Sequence, residues 1–222
     1  MNVSYKDLII NPNQFFAMVM SRKESLKIPG LIVLAAGVIA AVNAYIVSGI
    51  TAKMMGQLMP GMDTIIAAGA VAGAIIGTLM FWLIWSGIIY ALSAVFKGSG
   101  GFQRTLECIG YGYLPQAFGT LITLIAATWY IPKVHVTGLS SAALQDPAMI
   151  ETAIKAMMQD PAMRELSQIS SVVTIIFLLL SANIWIFGIR NARMLSLKDA
   201  AICVLVPVIA FSIYTIYQMT VI

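Results

Sequence analysis

The sequence predicts an all-α integral membrane protein with five transmembrane helices and a short helical extracytoplasmic hairpin. Three observations carry that prediction. Hydrophobic residues make up 60% of the 222 and charged ones only 10%, with a mean hydropathy of +0.91, which excludes an ordinary soluble domain. Five apolar runs approach or exceed the roughly 20 helical residues that cross a ~30 Å hydrocarbon core. None of the five contains Asp, Glu, Lys, Arg or His; those residues gather between the runs. The spans consume most of the chain, so one membrane domain is expected, at residues 29–222, behind a cytoplasmic leader at 1–28.

In the leader, Asn11-Pro12 is a helix-start signal, because Pro suits the first helical position. Phe15, Phe16, Val19 and Met20 then share a face. That face fits either a helix lying among lipid headgroups, with Arg22, Lys23 and Lys27 near phosphates, or a helix docked on the spans. No cleavable signal peptide is expected, since the first apolar run begins near Ile28 and is long enough to span. The first span covers 29–50. The connection at 51–64 holds Met54, Met55, Met59 and Met62. Methionine clusters bind soft cuprous ions, but no Cys or His accompanies these, and Met also serves as an adaptable apolar filler.

The second run, 65–96, exceeds what a bilayer needs: 32 helical residues extend ~48 Å. Gly69, Gly73 and Gly77 stand four apart, along one stripe of a helix. Small residues in that register let backbones approach closely in a membrane, so this stripe is expected to be a packing seam for another span or a second copy. Residues 97–110 are read as a loop. Its glycines, with no preceding strand and no Gly-Lys-Ser/Thr ending, do not form a phosphate cradle.

The third span is expected at 111–131 and the fourth at 171–189, with the only sizeable polar segment, 132–170, between them. There Gln145-Asp146-Pro147-Ala148-Met149 recurs as Gln159-Asp160-Pro161-Ala162-Met163. Each Asp-Pro pair predicts an N-cap followed by Pro at the first helical position, hence two helix starts, the second running on into the fourth span. Ile150, Ile154, Met157 and Met158 give the first helix an apolar face, a candidate partner surface or a face that packs on the chain itself. These helix starts also resemble the short helices of STI-type co-chaperone domains. The fifth span covers 200–222, with Pro207 inside it.

With the N-terminus cytoplasmic, the inner segments hold Lys6, Arg22, Lys23, Lys27, Lys97, Arg104, Arg190, Arg193 and Lys198, and the outer ones Lys53, Lys133, Lys155 and Arg164. Nine against four predicts N-inside and C-outside. Tyr45, Trp129, Tyr130, Tyr214 and Tyr217 then form an outer aromatic belt, and Tyr111 and Trp185 an inner one.

Spans without ionisable residues argue against ion-coupled transport and intramembrane catalysis. His135 stands without a second His or a Cys nearby, Cys108 and Cys203 are unsuited to a structural disulfide, and no nucleophile, base and orienting group come together. No catalytic residue, metal site or cofactor is therefore expected, and the positive charge reports topology rather than nucleic-acid binding. Asn43, Gln116 and Asn183 either bridge helices or, with Thr120 and Thr123, line a polar path.

The stretch Gly110-Tyr111-Gly112-Tyr113-Leu114-Pro115 is a turn feeding the third span. With five spans and a polar leader, it resembles the Yip/YIPF family, and the loop Phe96-Lys97-Gly98-Ser99-Gly100-Gly101-Phe102-Gln103-Arg104-Thr105-Leu106 is similar to that of prokaryotic members. The resemblance implies Gly110, Tyr111, Gly112, Tyr113 and Pro115 as the family motif, and a multi-pass protein of the cell membrane. Eukaryotic members bind Rab-type GTPases and associate with one another. Their Asp-Leu-Tyr-Gly-Pro motif is absent, Asp7-Leu8 being followed by Ile9-Ile10, so a Rab-type partner is not expected. The expected partners are the lipid bilayer, other membrane proteins or a second copy. The expected function is a non-enzymatic scaffold or adaptor; the alternative is a passive channel or small-solute transporter.

Overall fold

The structure, a computed structural model, describes residues 5–55, 61–136 and 146–221. Every regular element among them is helical: α1 (Asp7–Ile10), α2 (Pro12–Met20), α3 (Lys27–Met55), α4 (Met62–Val95), α5 (Phe102–Tyr111), α6 (Tyr113–Tyr130) with a short 3-10 turn (Ile131–Lys133), α7 (Pro147–Met158), α8 (Pro161–Ala192) and α9 (Leu197–Val221). Five stretches are long and apolar enough to span a membrane: α3, α4, the composite Phe102–Lys133, α8 and α9. Met59 and residues 137–145, within the polar segment after α6, lie outside the described residues.

The spans form a ring in which α3 lies between α4 and α6, α8 joins α6 to α9, and α9 returns to α4. We call the end carrying α1, α2, α5 and the α8–α9 turn the near end, and the end carrying α7 the far end. The main apolar core lies towards the near end, where Val33, Trp82, Trp85, Ile109, Trp185 and Val204 meet. A second cluster joins Leu8, Phe15, Phe16 and Val19 to Cys108, Tyr111, Ile184 and Ala192. Of the two placements open to the leader helix, the structure therefore shows the docked one. A third cluster at the far end joins Ile50 and Met54 to Ala127, Ile131 and Leu166.

Both Asp-Pro starts are helix caps. Asp146 accepts a hydrogen bond from the Ala148 amide at 2.9 Å, and Asp160 accepts from Ala162 at 2.9 Å and Met163 at 3.3 Å. The second helix continues without a break into the fourth span. α9 runs through Pro207.

Three expectations change. Residues 102–111 are helix rather than loop, because Phe102, Leu106 and Ile109 recur at helical spacing once the glycines end. Trp185 and Tyr111 are internal, at 1% and 6% exposure, so they make no inner belt; Tyr45, Trp129, Tyr214 and Tyr217 are exposed. Finally, Gly69, Gly73 and Gly77 make no close approach within the chain: a Cβ added at any of them meets nothing within 4 Å.

Candidate functional site

The motif at 110–115 and most of the long-range polar contacts lie at the near end, around the break between α5 and α6. Gly112 has an ordinary helical backbone (φ −71°, ψ −7°), so it is required by space rather than by conformation. A Cβ there would overlap the Trp185 indole, and one on Gly110 would come within 2.6 Å of Pro29 Cβ. Two indoles add side-chain donors to α5 carbonyls, one of which, Ile109 O, also accepts the Gly112 amide at 3.1 Å. The Trp82 N–H donates to Leu106 O and the Trp185 N–H to Ile109 O, each at 2.9 Å. The two motif tyrosines then diverge. Tyr111 packs edge-on against Phe15 of α2, with ring centroids 5.1 Å apart. Tyr113 turns towards Trp185 and the centre of the ring.

The glycine-rich loop between α4 and α5 wraps a cation. Arg193, only 3% exposed, donates to Ser93 Oγ at 2.8 Å, to Gly98 O at 2.7 Å and to Gly100 O. Its guanidinium lies 4.2 Å from the Tyr90 ring centroid. In return the Ser99 amide donates to Arg193 O at 3.0 Å. Gly100 takes φ +101°, and a Cβ there would also overlap the Ala192 carbonyl. No acidic side chain among the described residues pairs with Arg193; carbonyls and a ring face hold it instead.

A second arginine fastens the leader. Arg104 pairs with Glu107 at 2.7 Å and Glu24 at 3.7 Å, and donates to Arg22 O at 2.8 Å. Arg190 and Asn191 of α8 both donate to Asn13 Oδ1, at 3.3 and 3.2 Å.

Further into the ring lies a cavity of about 390 Å³. Trp85, Tyr113 and Trp185 stand at its near end, Ala74 and Thr174 at the other, and Gln116 and Thr120 of α6 between them. Gly77 lines it as well. Gln116 donates to Ser181 Oγ at 3.3 Å, while the Thr120 and Thr123 hydroxyls bond back to carbonyls of their own helix. Asn183 is exposed and faces a separate crevice beside Ile9 and Leu114. Asn43 Oδ1 is buried without a hydrogen-bond partner among the described residues.

At the far end, the Asp160 carboxylate also accepts from the His135 amide at 3.1 Å. Desolvation opposes its charged form, but the His135, Met163 and Ala162 amides and the His135 ring outweigh it and hold the carboxyl below its ordinary value. In the predicted partner surface, Met157 packs into the far-end cluster, Ile154 is exposed, and Ile150 and Met158 are half-buried.

The motif at 110–115 is thus brought into one structural unit, whereas the glycine stripe and the α7 face lie elsewhere. Sequence reasoning missed Trp82, Trp185, Arg193 and the Arg104–Glu107 pair. The last left a signal, since residues three apart face each other on a helix. Arg193 left none, because its partners lie more than 90 positions away.

The fold and this near-end assembly define a multi-pass α-helical membrane protein. The chain belongs to the Yip1 domain family, whose model matches residues 6–217. It is 36% identical over 118 residues to an uncharacterised protein of Methanocaldococcus jannaschii, an alignment covering 53% of this chain and 84% of that protein. No solved structure matches the chain.

Proposed function

We propose that this Yip1-domain protein is a non-enzymatic membrane scaffold or adaptor, acting through helix–helix and protein contacts in membrane organisation. Its N-terminus is cytoplasmic and its C-terminus extracytoplasmic in this reading. The observation that supports it is the scattering of the polar side chains that a pathway would need. Gln116 faces the ring's interior and is tied to Ser181, Asn183 faces a separate crevice, and Thr120 and Thr123 bond to their own helix. A conducting path needs such groups in a continuous line. The partners are other membrane proteins or a second copy.

Two measurements test the proposal. Crosslinking in native membranes should capture discrete protein partners, while vesicles containing the purified protein should pass small polar solutes no faster than empty ones. Solute flux that Gln116→Leu abolishes would overturn the scaffold in favour of a channel. For orientation, a reporter active only outside the cytoplasm should work when fused after Ile222 and fail after Ser99; the reverse pattern would invert the topology.

A further inference from the structure

The central cavity carries chemistry that neither the scaffold reading nor family membership uses. On α4 its lining runs from Ala74 to Trp85 and on α8 from Thr174 to Trp185, eleven residue steps in each case. At 1.5 Å per residue the slot is ~16 Å long and parallel to the helices. Its 390 Å³ falls within the range of small-molecule sites, roughly 300–1,000 Å³, and over that length it is narrow. Phe81, which lines it, is 52% exposed, so one side of the slot reaches the outer surface of the ring. No Asp, Glu, Lys, Arg or His lines it.

What marks the slot as more than a packing defect is Tyr113. This side chain is 7% exposed and lines the cavity; its hydroxyl makes no hydrogen bond to any described residue and opens on the slot. A hydroxyl in such surroundings is generally satisfied by protein, water or ligand, and here only an occupant of the slot is placed to do so. One helical turn along α6, Gln116 donates to Ser181, and its amide oxygen accepts no bond from the described residues. A donor and an acceptor therefore face the near part of an otherwise apolar, uncharged slot.

We propose that the slot is a lipid-chain site, holding one acyl chain along the helices with the chain's uncharged ester or hydroxyl group at Tyr113 and Gln116. The occupant is either a free single-chain amphiphile or one chain of a bilayer lipid entering beside Phe81. Both present the same chemistry to the wall: a hydrocarbon that lies between Ala74 and Thr174, and an oxygen that meets the Tyr113 hydroxyl.

The test uses the full chain in phosphatidylcholine vesicles and a monoacylglycerol with a photoreactive diazirine and an alkyne handle in its chain. Labelling should saturate, fall on the peptides that contain Gly77–Trp85 and Thr174–Trp185, and be displaced by unlabelled monoacylglycerol. Tyr113→Phe keeps the ring and removes the hydroxyl, and should weaken saturable labelling about fivefold, the equivalent of one hydrogen bond of ~1 kcal/mol. Gly77→Phe, whose side chain starts in open space, should fill the slot and abolish labelling while the thermal midpoint holds. A phosphatidylcholine with the diazirine in one chain separates the sources. Labelling of the same peptides, with the same sensitivity to Tyr113→Phe, identifies the bilayer lipid; labelling by monoacylglycerol alone identifies a free amphiphile. Labelling that never saturates, that spreads over outward residues such as Ile125 and Ile213, or that is equal in wild type and Tyr113→Phe would overturn the site.

Discussion

At the near end, a Cβ placed on Gly98, Gly110, Gly112 or Gly188 meets another atom at 3.0 Å or less; along α4, a Cβ on Gly69, Gly73 or Gly77 meets nothing within 4 Å. The three periodic glycines stand in open space, whereas these four are crowded by backbone, an indole or another side chain. Periodicity reports which residues share a helix face. It says nothing about whether that face is covered by the same chain. Close approach at the near end arises from two tryptophans and an arginine whose donors reach carbonyls on other segments, and the glycines there make room for those side chains.

The sharpest way to break this comparison is Gly112→Leu. The side chain would occupy the Trp185 indole, so stability should fall by the upper part of the ~1–3 kcal/mol typical of overpacking, or by more, measured as a lower thermal midpoint in detergent. A midpoint within a degree of wild type would mean that the near end repacks freely. Next in size, Arg193→Ala strips donors from Ser93 Oγ, Gly98 O and Gly100 O. A loss of about 3 kcal/mol is expected, since hydrogen bonds to charged groups contribute ~1.5–3 kcal/mol each. Arg193→Lys should recover little of it, because an ammonium cannot reproduce the planar fork. Accelerated hydrogen exchange in both the α4–α5 loop and the α8–α9 turn would confirm that one side chain joins them.

A smaller effect is expected at the far end. Asp160→Ala removes the α8 cap, costing about 1 kcal/mol, with faster exchange at His135 and the start of α8. The Asp160 carboxyl is held below its ordinary value in the fold. Its stabilisation is therefore complete above the unfolded value of ~3.9, and is lost as pH falls through the lower folded value. Exchange at the His135 amide should rise in that acidic window in wild type and be indifferent to it in Asp160→Ala. Smallest of all, Gly73→Leu should change the monomer's stability by less than ~0.5 kcal/mol, as should the control Ile76→Leu. A drop matching that of Gly112→Leu would erase the contrast between the two glycine sets. Loss of a crosslinked dimer in Gly73→Leu, with the monomer intact, would sharpen it by assigning the stripe to a second copy.

The five spans were legible because twenty-residue apolar runs have few other homes, and the two Asp-Pro starts because an N-cap is a local signal carried by adjacent residues. The family turn was legible as a motif but not as a mechanism. That Gly112 yields to Trp185 depends on a contact 73 positions away. α5 was hidden by Gly98, Gly100 and Gly101 just before it, and by polar Thr105 and Glu107, which are buried. Arg193 read as one more positive residue marking a loop. Its burial depends on carbonyls that become acceptors only after the α4–α5 loop has folded around it.

The same reach in sequence sets an order for biosynthesis. Ser93 and Arg193 are 100 positions apart, and Asn13 and Arg190 are 177 apart. At ~5–20 residues per second, the loop carbonyls that will hold the guanidinium wait roughly 5–20 s for it to be made, and the leader helix waits longer. Until α8 has been inserted and its end delivered back to the near side, α2 has only part of its docking surface, chiefly Cys108 and Tyr111 of α5. The near end therefore closes late, and any chain that stops before Arg190 should carry a leader held by α5 without the Asn13 contacts to α8.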